Sequence, residues 1–157
     1  MDDRPGAQTR PEQTLIHCFD CEFARLHAEL CNIVREVSIE DFYHDSESAA
    51  GAPSQSLIRS AAIVEQTFGG ITANLWDDPF EWTLPETLTT STQILEYLAE
   101  VEATRKRAFA RFAQDSDLLK EIAVPSGNTR PLVELLLETL VHATHYHGRC
   151  IAALQLR

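Results

Sequence analysis

Basic residues are scarce in this chain. Thirteen lysines and arginines stand against 24 aspartates and glutamates, a formal net charge of −11 at pH 7. Such a balance repels a phosphate backbone, so no nucleic-acid partner is expected. Long apolar runs are also missing. No stretch approaches the ~20 apolar residues that a membrane-spanning helix needs. The opening MDDRPGAQTR has no apolar leader segment either, so a cytoplasmic protein without membrane attachment is the expectation. Cysteine is present but poorly arranged for chemistry. Cys18 and Cys21 form a C-x-x-C inside a helical pattern, with no second pair nearby and no strand–helix junction, and Cys31 and Cys150 lie far off. Buried reduced thiols are expected, rather than a redox or zinc motif.

What is present is enough for one core. The 157 residues, 44% of them hydrophobic, suit a single domain at 14–157 preceded by a polar, Pro-containing tail at 1–13. Spacings of three and four recur in four segments, each the pattern of an amphipathic helix. In 14–37 the stripe is Ile16, Phe19, Phe23, Leu26, Leu30, Ile33 and Val37, with His27 near it and His17 beside it. Ser38 to Asp41 reads as a capping sequence for a short turn. In 54–75 the stripe is Leu57, Ala61, Val64, Phe68, Ile71 and Leu75, with Ser60 at its edge. Gly69 and Gly70 fall off it and open a surface for close approach, which a second copy of the chain could use. Residues 76–89 form a linker rich in Trp, Phe and Pro. The third segment, 91–113, starts at Ser91 as N-cap and carries Ile94, Leu98, Val101, Ala108 and Phe112, with Arg105 in mid-stripe. An arginine there snorkels out or faces a pocket and binds an anion. A short helical piece around Leu118 to Ile122 and a PSGN turn follow. The expected core includes Leu57, Phe68, Leu98, Val101, Phe112, Leu136 and Ala143.

The last segment, TRPLVELLLETLVHATHYHGRCIAALQLR, contains no glycine or proline between Leu132 and His147. Thr129 reads as its N-cap and Pro131 as a first-turn residue, where a missing N–H costs nothing. At about 100° per residue, Leu132, Leu136, Leu140, Ala143, Cys150, Ile151 and Leu154 share a face. Glu134, Glu138, His145 and Arg149 lie opposite. His142 and Tyr146, one turn apart, fall on the border, and His147 points to the apolar side.

The string HATHYHGR at 142–149 resembles the C-terminal helix motif of the DinB/YfiT-like family, in which HxxHHRGQ is usual. The linker LWDDPFEWTLP and the SGNT entry to the last helix extend the resemblance over most of the chain. It implies an all-α four-helix bundle, in an up-down-down-up arrangement that long second and third connections also favour. Members are commonly homodimers, and many hold a divalent metal through one histidine of helix 2 and two of helix 4.

Carried over position by position, those three ligands become Ser60, His142 and Tyr146, so His142 alone is retained. An open catalytic metal site needs three good ligands, and a phenol with its pKa near 10 is a poor one. His145 is rotated ~60° from His142 toward the polar side and is no substitute. The leading expectation is therefore a divergent bundle without the metal, binding a small molecule between helices 2 and 4 through His142, Tyr146, Ser60 and Arg105. The alternative is a zinc- or nickel-dependent enzyme resembling the family's thiol-dependent transferases or hydrolases. The plainest account of His142 is a boundary residue paired with Glu138 one turn earlier.

Overall fold

Each amphipathic segment becomes a long helix, and the connections between them are where structure and pattern part. The computed structural model describes residues 11–44, 51–82 and 84–155. The expected tail at 1–10 and much of the loop at 44–53 lie outside the described residues. The helices are α1 (Thr14–Glu36), α2 (Ile39–Tyr43), α3 (Pro53–Ala73), α4 (Pro79–Trp82), α5 (Leu84–Thr87), α6 (Ser91–Phe109) and α7 (Leu132–Gln155). Two three-residue strands, β1 (Glu121–Ala123) and β2 (Thr129–Pro131), pair antiparallel between α6 and α7. The chain is mostly helical.

Local chemistry sets several of these ends. Ser38 accepts a hydrogen bond from the Asp41 amide at 3.2 Å and caps α2, as its sequence suggests. Thr90, one residue before the expected cap, starts α6 with a full capping box: its hydroxyl accepts from Gln93 N, and the Gln93 side chain returns to Thr90 N. Asn74 ends α3 in the left-handed conformation, φ 56°. Leu75 thus lies beyond the helix and is exposed, not part of the core stripe.

The long helices α1, α3, α6 and α7 share one core. α3 packs most extensively against α7 and α6, and α1 packs against α6 and α7. Pairs of contacts give the directions. Gln13 reaches the Ala113 carbonyl while Asp20 meets Arg105, so α1 and α6 are antiparallel. Tyr97 meets Glu65 and Arg111 meets the Thr72 carbonyl, so α3 and α6 are parallel. Ser60 meets Ala143 and Thr67 meets Thr139, so α3 and α7 are antiparallel. At the centre, Phe68 lies 5.0 Å edge-on to Phe23 and 5.6 Å from Phe109. Each fully buried phenyl is worth about 2–3 kcal/mol, with roughly 1 kcal/mol more from the ring geometry.

Four expectations need correction here. Phe112 follows α6, in a turn, and is half-buried against the edge of Phe109. The short helical piece near Ile122 is a 3-10 turn at Asp115–Leu119 followed by β1. Its partner β2 takes Thr129 and Pro131, so α7 begins at Leu132 and Thr129 does not cap it. The cause is the PSGN turn, where Gly127 sits at φ 83° and reverses the chain. Finally, Cys31 and Cys150 are buried, but Cys18 and Cys21 are exposed, because α1 turns that side to solvent.

Candidate functional site

The four residues singled out on the sequence have four different surroundings. Ser60 is wholly buried, and its hydroxyl donates to the Ala143 carbonyl of α7 at 2.8 Å. This bond is possible because Ala143 leaves room for the two helices to approach. His142, the next residue along, is exposed, not half-buried as its border position suggested. The centre of the inward face runs through Leu136, Thr139, Ala143, His147 and Cys150, which leaves His142 a quarter-turn outside it. Glu138 is held by Arg130 at 2.5 Å and not by His142.

Tyr146 is half-buried on the outer border of α7. Its ring lies 5.5 Å edge-on to His145 and 5.7 Å from the Arg149 guanidinium carbon. These are contacts along one helix surface. They do not fit the family's metal: a buried hydroxyl already spent on a carbonyl, an exposed imidazole and a surface phenol are not a three-point donor set. Among the described residues, no three of histidine, cysteine, aspartate and glutamate come together as a metal site.

Arg105 lies elsewhere, between α6 and α1. It neither snorkels nor waits for an anion. Its side chain is 3% exposed, donates to Glu102 twice at 2.8 Å and is paired with Asp20. Burial alone lifts the Glu102 carboxyl, but the guanidinium outweighs it and holds the group below its usual value. Half-buried His27 lines the same place, its ring 3.5 Å from the Cys31 sulfur. Desolvation lowers its pKa. The space they share with Phe23 and Leu98 is about 20 Å³, room for one water and no ligand.

Two spaces large enough for a ligand flank the C-terminal half of α3. One, of about 210 Å³, lies between α3 and α7 near Thr67, Thr139 and Glu138, with Trp76 and Val124 beside it. It is between the expected helices but is not lined by Ser60, His142 or Tyr146. A larger one, about 380 Å³, lies between α3, α6 and the linker. It falls in the range of roughly 300–1,000 Å³ typical of small-molecule sites.

The linker shapes both spaces. Gly70 admits the Trp76 indole against α3, Gln66 donates to the Trp76 carbonyl at 2.7 Å, and Arg59 grips Asp78 at 2.5 Å. Arg59 also stacks 3.7 Å over Phe80. Gly69 and Gly70 therefore receive the chain's own linker, which removes the reason for seeing them as a surface for a second copy. On the wall of the larger space, Glu65 accepts from the Tyr97 hydroxyl at 2.6 Å. Burial, the larger influence, raises its carboxyl pKa although the Tyr97 bond pulls the other way. Glu65 lies off the apolar stripe of its helix, where spacing gives no sign of a role. Nothing in the periodicity pointed to Thr104 or Arg107 opposite it.

No family model matches this chain, and neither a curated protein nor a solved structure matches it.

Proposed function

We propose that this protein is a divergent four-helix bundle of the DinB/YfiT-like kind, in up-down-down-up order, that binds a small polar molecule without the metal of that family. The helix directions support the bundle order: α1 antiparallel to α6, α6 parallel to α3, α3 antiparallel to α7. The observation that carries the binding reading is the space of about 380 Å³ beside α3. It has a half-buried carboxylate on its wall and a linker clamped over one side. The ligand has moved, on this reading, from the family's position between helices 2 and 4 to the other flank of α3.

The test combines metal content with thermal unfolding of the full chain. Elemental analysis of the purified protein is expected to find no stoichiometric zinc or nickel. Members of a panel of small polar metabolites are expected to raise Tm, since a ligand at a hundred times Kd adds about 2.7 kcal/mol. Thr104→Trp, which places an indole in the space, is expected to abolish the rise. Stoichiometric metal, or a rise that Thr104→Trp leaves intact, overturns the proposal.

A further inference from the structure

The space beside α3 is electrostatically two-ended. The linker returns along α3 toward its N-terminus: Leu75 N bonds Gly69 O, Trp76 O bonds Gln66, and Asp78 bonds Arg59. Asp77, on the wall, therefore stands at the level of Glu65. Since α3 and α6 run parallel, Arg107 stands with Thr72 at the opposite end, near the Arg111–Thr72 bond. Glu65 and Thr72 are seven residues apart on one helix, about 10 Å.

Both ends have capacity to spare. Arg107 donates to the Thr104 hydroxyl at 2.9 Å but makes no ion pair among the described residues. Its neighbours Arg105 and Lys106 are both paired with Glu102. Arg107 thus brings a positive charge to the cavity wall that no carboxylate among the described residues neutralises by direct contact. At the other end, Tyr97 occupies Oε2 of Glu65, and Oε1 has no hydrogen-bond partner among the described residues.

Resting on the binding reading above, we infer that the ligand is a short zwitterion of dipeptide length. Its ammonium is held by Glu65 and Asp77 and its carboxylate by Arg107. Hydrogen bonds of about 3 Å at each end leave roughly 4 Å between the ligand's charges, more than one residue of extended chain spans and within the reach of two. A simple anion leaves the carboxylate end unmatched, and a simple cation leaves Arg107 unmatched.

Calorimetric titration of the full chain with alanylalanine, its N-acetyl form and its C-terminal amide tests this. The dipeptide is expected to saturate one site, and each blocked form to bind at least tenfold more weakly. Arg107→Gln is expected to cost at least tenfold for the dipeptide and nothing for the amide. Glu65→Gln is expected to do the same for the dipeptide and the N-acetyl form, respectively. Arg107 is exposed, so its variant is not at risk of misfolding. Equal binding of the three probes, or indifference to Arg107→Gln, overturns the zwitterion inference. If only other compounds bind, and Thr104→Trp blocks them, the zwitterion inference falls and the binding reading stands. If nothing binds, both fall.

Discussion

Gly70 and Trp76 fit together as socket and plug. A Cβ placed on Gly70 would stand 2.4 Å from the indole ring, far inside contact distance. The Trp76 nitrogen donates to Asn74 at 2.9 Å and its carbonyl accepts from Gln66, so the ring cannot simply swing away. This pair turns the chain out of α3 and lays the linker beside it.

Gly70→Ala is therefore expected to destabilise. In an open helix the change would gain about 1 kcal/mol from propensity, whereas overpacking costs about 1–3 kcal/mol. With the ring held in place the clash outweighs the gain, giving a net loss of up to roughly 2 kcal/mol. Urea denaturation of Gly70→Ala, Trp76→Leu and the double variant checks it. The double variant should lose less than the sum of the two single changes. A stabilised Gly70→Ala would contradict the fit.

Arg105→Met keeps an apolar stem but leaves the half-buried Glu102 with only the exposed Lys106, 3.4 Å away. A loss of about 3 kcal/mol is expected, as for other broken buried pairs, and Arg105→Met combined with Glu102→Leu should recover much of it. The exposed Arg25, which bridges Glu22 and Glu29 at 2.7 Å, makes the comparison. Removing it should cost much less, because water and salt screen an exposed pair. Equal losses at the two arginines would show that Arg105 is not buried as described.

Ser60→His combined with Tyr146→His would put histidines, with His142, at the three positions that the DinB/YfiT-like resemblance implies for a metal. Ser60 is wholly buried against the α7 backbone. The imidazole is expected to overpack that contact by about 1–3 kcal/mol without creating a metal site. Thermal unfolding should show a lower Tm that zinc does not restore. A zinc-dependent rise cancelled by His142→Ala would mean that the three positions do converge, and the metal-free reading would be wrong.

Acid should weaken the fold before carboxylates titrate. Desolvation lowers the pKa of both His27 and His147. Around His27 stand Glu102, which opposes the shift, and Arg105, Lys106 and Arg35, which add to it; around His147 stand Glu29 and Arg25, of opposite effect. A histidine kept neutral by burial contributes stability that is present above its unfolded value, about 6.5, and is lost as pH falls through the lower folded one. Unfolding free energy should thus drop from pH 7.5 to 5.5. His27→Gln with His147→Gln should flatten that slope, and an unchanged slope would assign the effect elsewhere.

The amphipathic stripes themselves determined much of this protein. Leu57, Phe68, Leu98, Val101, Leu136 and Ala143 are buried as their spacing requires, because a helix presents every third or fourth residue to the same side whatever it packs against. His147 inward and His145 outward follow from the same geometry. Ser38 could cap α2 because the bond is made within four residues.

Tertiary structure decided the rest, wherever a partner lay far along the chain. The fate of Arg105 depended on Asp20, of Ser60 on Ala143, and of Gly70 on where the linker returns. The border position of His142 was legible, but its exposure depended on which part of the apolar face α7 turned toward α3. The space near Arg107 belongs to no stripe at all. It exists because α3 and α6 run parallel with a linker between them, and spacing within one helix carries no record of the direction of its neighbour.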